Sequence, residues 1–146
     1  MSRLVIDTLE SLTNWTHDDG LTLELCGFPE YAADYRTSPV AIKIPAGSKG
    51  KTAILTLPAS VDVSDYDELV IGATSLRTNV NNVEKDSDAK YIFSVASGKD
   101  FSVPVANTYT GVTIPIDGYT AVTQLKIIVN HDSADYLILS GFSALS

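Results

Sequence analysis

The chain is poor in nearly every residue type on which small domains build chemistry. One cysteine, one methionine, one tryptophan and two histidines occur among its 146 residues. The single cysteine, Cys26 in Leu23-Glu24-Leu25-Cys26, closes no internal disulfide and offers no CxxC pair for a metal or a redox couple. It reads as a half-buried thiol, since free cysteine packs as a small hydrophobe. His17 precedes Asp18-Asp19 and His131 precedes Asp132; they lie far apart, with no HxxxH spacing, and read as surface turn histidines rather than zinc ligands. No GxSxG nucleophile elbow is present, so nothing marks a hydrolase. Long apolar runs are missing too: the longest, such as Tyr136-Leu137-Ile138-Leu139, is four residues, against the roughly 20 that a membrane-spanning helix needs. The first ten residues carry one Arg and a three-residue apolar stretch before Asp7, too little for a secretory core, so no export signal is expected. Cations are scarce as well. Ten Lys and Arg against 18 Asp and Glu leave a net charge of −8, the wrong sign for holding phosphates, which argues against nucleic acid and anionic membrane as partners.

What the chain does have is β-branched residues. Apolar residues make up 45%, enough for one core, and the length fits one domain over residues 1–146 with a short N-terminal arm over about residues 1–12. The 13 Val, 11 Ile and 14 Thr point to strands. Alternating or short apolar runs recur at Leu21–Cys26, Val40–Ile44, Ala53–Leu57, Glu68–Ala73, Lys90–Ala96, Phe101–Val105, Val112–Ile116, Gln124–Val129 and Tyr136–Phe142. Turn clusters such as Pro45-Ala46-Gly47-Ser48, Ser97-Gly98-Lys99-Asp100 and Asp117-Gly118 separate them. With no amphipathic helix between them, the runs predict an all-β fold, an antiparallel β-sandwich of the jelly-roll kind with about eight to nine strands. Val63–Leu69 has room for one short helical turn started by Ser64.

Candidate functional residues gather in two long polar connections. The segment Gly27–Pro39 concentrates Phe28, Tyr31, Tyr35 and Arg36, a mixture favoured in ligand grooves and at the buried centre of interfaces. The segment Arg77–Asp88, with Arg77, Asn81 and Asn82, has little to bury and is expected to project from the sandwich. Asp62, Asp65, Asp67, Asp86, Asp88, Asp132 and Asp135 sit in turn-like stretches and read as solvated turn residues, neither a glycosidase pair nor an EF-hand. No cofactor and no metal are expected.

Three segments, in order, resemble the galactose-binding-like jelly roll found in carbohydrate-binding modules and in accessory proteins of tailed phages. They are Leu9-Glu10-Ser11-Leu12-Thr13-Asn14-Trp15-Thr16 leading into Leu21-Thr22-Leu23-Glu24-Leu25; Val61-Asp62-Val63-Ser64-Asp65-Tyr66-Asp67-Glu68-Leu69-Val70-Ile71; and Val112–Ile116, Leu125–Val129 and Tyr136–Phe142 as closing strands. The resemblance implies a binding protein rather than an enzyme. Ser140 stands where these modules usually carry an aspartate on the last strand, and Tyr109–Val112 lacks the tryptophan often seen there.

The resemblance, joined to a chain with its own Met1 and no export signal, gives a first reading as a non-enzymatic virion protein. That reading is a capsid decoration or cement protein, made in the host cytoplasm, which clamps capsid or tail proteins and works as a homo-oligomer or in multiple copies. The alternative is a carbohydrate-binding module recognising glycans through loop aromatics, with Tyr31, Tyr35 and Trp15 or Tyr109 stacking on sugar rings.

Overall fold

In a computed structural model, which describes residues 2–26, 39–76, 90–96, 99–103, 105 and 110–146, the chain is an antiparallel β-sandwich. The described residues form eleven strands and no helix: β1 (Arg3–Asp7), β2 (Trp15–His17), β3 (Thr22–Leu25), β4 (Val40–Ile44), β5 (Thr52–Asp62), β6 (Glu68–Ser75), β7 (Tyr91–Ala96), β8 (Lys99–Val103), β9 (Thr110–Pro115), β10 (Ala121–Val129) and β11 (Asp135–Leu145). One sheet has the order β3-β4-β11-β6-β9 with β1 also paired to β11, and the other runs β2-β5-β10-β7-β8.

All nine runs singled out in the sequence become strands, and two further ones, β1 and β2, join them. β1 falls within the stretch read as an arm, where it pairs Arg3 with Leu145 and Leu4 with Ala144. β2 is only three residues long and pairs with β5 through Trp15↔Leu55 and His17↔Ala53. β2 is too short to show a period of its own, and β1, with Leu4-Val5-Ile6 in succession, does not alternate.

The core forms between the sheets from alternate residues. Leu69, Ile71 and Ala73 of β6 and Leu125, Ile127 and Val129 of β10 belong to one buried cluster with Phe93 and Phe142. β11 keeps one face inward along eleven residues because a bulge interrupts it. The register with β6 slips between Ser140 and Phe142, where Gly141 adopts φ +74°, so Leu137 and Leu139 before the bulge and Phe142 and Ala144 after it all point inward. The space around Gly141 is open. Its requirement is conformational, since a side chain there would sit in the left-handed region.

The helical turn expected in Val63–Leu69 does not form. The Tyr66 N–H bonds the Val63 carbonyl at 3.0 Å, but the next amide, Asp67 N–H, goes to the Leu145 carbonyl at 2.8 Å, and the Asp67 carbonyl accepts from Ile116 at 3.0 Å. These cross-strand bonds take the groups that a helix would need, and β6 begins one residue later.

Candidate functional site

The outward face of the six-stranded sheet is patterned in rows. Lys43 of β4 pairs with Thr22 of β3 on one side and Tyr136 of β11 on the other, and Leu76, just beyond β6, donates its N–H to the Tyr136 carbonyl at 3.2 Å. Thr22, Lys43, Tyr136 and Leu76 therefore form one row across four strands, about 14 Å from end to end at the usual inter-strand spacing. A cavity of about 420 Å³ opens along this row, closed at the strand ends by Gly20, Pro45 and Ala134. Its walls are amphipathic. Tyr136, Leu76, Ile44 and Pro45 supply apolar surface, while Thr22 and the exposed Lys43 supply polar groups.

Tyr136 is held in place from two sides. Burial pushes its phenol well above the usual tyrosine range, and a hydrogen bond to Glu24, together with the neighbouring Cys26 thiol, adds to the shift. The hydroxyl therefore keeps its proton and donates to Glu24. On the backbone side, the Tyr136 N–H donates to Asp135 Oδ1 at 2.7 Å.

Asp135 belongs to a polar cluster buried directly beneath the cavity. Its Oδ2 accepts from Ser75 Oγ at 2.7 Å and from the Tyr91 hydroxyl. His131 Nε2 lies 2.9 Å from that hydroxyl oxygen and 3.8 Å from Asp135 Oδ2, with its ring edge-on to Tyr91. Tyrosine has one proton to give, and the carboxylate takes it, so His131 Nε2–H is the donor to Tyr91. The cluster joins the sheets: Ser75 and Asp135 belong to one, and Tyr91 to the other.

This cluster corrects two expectations. His131, read as a surface turn histidine, and Asp135, read as a solvated turn acid, are both buried. A polar group that deep must be hydrogen-bonded, and each finds its partner on a strand distant in sequence, which local turn chemistry does not reveal. His17 is exposed as expected, its Nδ1 3.0 Å from the Asp18 carbonyl. Cys26 is fully rather than half buried, next to Ala41 and Ile138 on the outward face. Trp15, one of the alternatives for sugar stacking, is turned toward the core and packs there. Among the described residues no group of three His, Cys, Asp or Glu is placed to hold a metal ion.

The seven residues singled out as binding candidates, Phe28, Tyr31, Tyr35, Arg36, Arg77, Asn81 and Asn82, lie outside the described residues, as does Tyr109. The cavity is thus built from residues the sequence reading passed over. Lys43 carried a signal, being the one charge inside Val40–Ile44, and so did Tyr136, the polar-tipped start of the longest apolar run.

A second, smaller depression of about 110 Å³ lies farther along the same face over Gly72, Gly111, Ser140 and Gly141, with Arg3 at its edge. Between the two runs the row Glu24, Ala41, Ile138 and Thr74. Ala41, Ile138 and Thr74 are 0%, 2% and 4% exposed although they point away from the sandwich core, and the Thr74 hydroxyl has no hydrogen-bond partner.

No protein-family model matches the sequence, and no curated protein matches it. Solved structures match the fold from end to end. A family 11 carbohydrate-binding module of a cellulosomal cellulase of Clostridium thermocellum aligns with a TM-score of 0.64 at 8% identity, covering 99% of this chain and 95% of that one. A family 11 module from the same organism, in complex with a β-1,3-1,4-mixed-linked tetrasaccharide, gives 0.63 at 9% identity with the same coverage. A family 29 carbohydrate-binding module gives 0.57 at 11% identity, covering 98% of this chain and 87% of that one. At these identities the likeness is one of fold: an all-β jelly-roll sandwich.

Proposed function

We propose that the chain is a non-catalytic glycan-binding domain whose ligand seats in the cavity along Thr22, Lys43, Tyr136 and Leu76. The observation that carries this reading is the amphipathic wall. A sugar ring has an apolar face and a polar rim, which suit the Tyr136 and Leu76 surface and the Lys43 and Thr22 groups respectively. The fold likeness supports it, because one similar module was solved with a mixed-linked tetrasaccharide bound. Glycoside hydrolysis takes two carboxylates free to act on the substrate. Asp135, the acid lining the cavity, is committed inward to Ser75 and Tyr91, and Glu24 is engaged by Tyr136. The solved structures named above are carbohydrate-binding modules and none of them is a virion protein, which favours glycan binding over virion decoration. Phe28 to Arg36 and Arg77 to Asn82 follow directly on Cys26 and Leu76, residues of this same outward face, and both segments stay in the proposal as ligand contacts.

A glycan array followed by calorimetry with the mixed-linked tetrasaccharide tests the reading. Lys43 is exposed, so Lys43→Ala is expected to leave the melting temperature unchanged while weakening binding by about tenfold, the loss of one charged hydrogen-bonding group. An array on which no glycan binds above background refutes it.

A further inference from the structure

We infer that Asp117-Gly118, in the turn between β9 and β10, is a site of spontaneous isoaspartate formation, and that the fold protects Asp19-Gly20 from the same reaction. The inference does not depend on the glycan reading. The chain holds these two Asp-Gly steps and no Asn-Gly. At such a step the glycine amide nitrogen attacks the aspartate Cγ. A C–N bond forms, and the amide proton leaves with the carboxyl hydroxyl as water. One water then opens the cyclic imide. Where it enters at the main-chain carbonyl of the aspartate, the backbone runs on through Cγ, one carbon longer, with mass and charge unchanged. Glycine favours the step because no Cβ shields its nitrogen and its backbone turns freely.

Exposure does not separate the two steps. Asp19, Gly20, Asp117 and Gly118 are all exposed, and both glycines have positive φ, +95° at Gly20 and +80° at Gly118. What differs is the hold on the peptide plane that must rotate to bring the glycine nitrogen to Cγ. At Asp19-Gly20 that plane is tied. Its carbonyl, on Asp19, accepts from Lys51 Nζ at 2.7 Å, and the turn around it is closed by Leu21 N–H donating to the Asp18 carbonyl at 3.3 Å. The residue before it is pinned to the start of β5 as well: Asp18 N–H donates to the Thr52 carbonyl at 2.9 Å, and Thr52 N–H to Asp18 Oδ2 at 2.9 Å. At Asp117-Gly118 the anchors stand outside the step. Ile116 N–H donates to the Asp67 carbonyl at 3.0 Å, and the Thr120 carbonyl accepts from Val63 N–H at 2.8 Å. Between them Asp117, Gly118 and Tyr119 make no backbone hydrogen bond among the described residues, and the Asp117 carboxylate has no partner there either. Ring closure at Asp117 therefore breaks nothing, whereas at Asp19 it must first undo a charge-assisted bond and a turn.

The test is to age the full chain for weeks at neutral pH and physiological temperature in heavy-oxygen water, once folded and once in concentrated urea, and then to digest it. Isoaspartyl peptides separate from their parents by chromatography and, having passed through the imide, carry one heavy oxygen. In the folded chain isoaspartate is expected at Asp117 at least about tenfold faster than at Asp19. In urea, where neither turn exists, the two steps are expected to react at similar rates. Asp117→Glu keeps the charge but demands a larger, disfavoured ring, so it is expected to abolish the label in that peptide and leave the label at Asp19 as it was. Gly118→Ala is the poorer control, because φ is +80° there and a Cβ would lie 3.0 Å from Lys99 Nζ. Equal rates at the two steps in the folded chain overturn the inference, as does faster reaction at Asp19. So does a folded chain without isoaspartate at Asp117, whatever the urea sample shows. A label that persists in the Asp117→Glu peptide places the reaction at another residue and overturns the assignment.

Discussion

Replacing Tyr91 by Phe isolates the hydroxyl that links the two sheets beneath the cavity. The ring is fully buried, and Phe keeps its packing and its edge-on contact with His131 at 5.1 Å between centroids. Two interactions disappear: the donation to Asp135 and the acceptance from His131 Nε2–H. A hydrogen bond to a charged group is worth about 1.5–3 kcal/mol, and a buried donor left without its acceptor costs about 1–3 kcal/mol. Asp135 keeps Ser75 and the Tyr136 N–H, so relaxation recovers part of the loss, and about 2–4 kcal/mol is expected overall. That is a large share of the roughly 5–15 kcal/mol that holds a domain together. In a chain of this size it corresponds to a melting temperature lower by about 4–16 °C. Urea unfolding followed by circular dichroism reads the loss directly. A cycle with Ser75→Ala, which removes the other donor to Asp135 Oδ2, is expected to give a coupling of at least about 0.5 kcal/mol, because both donors serve one oxygen. A Tyr91→Phe loss below about 0.5 kcal/mol, with no coupling to Ser75→Ala, would show that the cluster does not hold the sheets together.

Two further outcomes follow from buried hydroxyls without partners. Thr74→Val replaces the orphaned hydroxyl in the covered row by a methyl group of the same shape, so it is expected to raise stability by about 1 kcal/mol and the melting temperature by about 2–4 °C; a lower melting temperature would mean that the hydroxyl has a partner. Tyr119 has a buried hydroxyl with no partner, and burial pushes its phenol up from 10.0 to about 12. Its contribution is therefore whole below pH 10 and is lost as pH rises toward 12, where the unfolded chain has already released the proton that the folded chain still holds. Tyr119→Phe is expected to lose less of its urea midpoint over that interval than the parent, with Tyr136 supplying what alkaline loss persists; parallel midpoint curves would contradict the assignment.

The strands were legible in the sequence wherever alternation ran for five residues or more. Val40–Ile44 matches β4 at both ends, and Glu68–Ala73 falls two residues short of the end of β6. β5 and β10 extend past the runs that announced them. Their outer parts, Ala59-Ser60-Val61 and Ala121-Val122-Thr123, are polar or small on the exposed side and are paired by the neighbouring strand rather than by their own pattern. β1 and β2 were invisible for the same reason: what makes Arg3–Asp7 a strand is Leu145 to Phe142, at the other end of the chain. The cavity was hidden more deeply. Tyr136 and Lys43 are ordinary strand residues until β3, β4 and β11 are set side by side, and Ser75, Tyr91, His131 and Asp135 share no motif because three separate stretches of chain supply them.

β11 is the last strand in sequence and lies at the middle of its sheet, with β6 along one edge and β4 and then β1 along the other. Until it arrives, β6, β4 and β1 have no common neighbour, and the sheet that carries the cavity has no interior. Folding of this half must then wait for a strand made after all the others, and it must close the longest loops in the molecule, as Ser146 N–H bonding the Ser2 carbonyl illustrates. Such non-local pairing places the chain among slow folders, with formation times of milliseconds to seconds. On the ribosome, the half-made domain presents its inward leucines and isoleucines to whatever chaperone is at hand until β11 emerges.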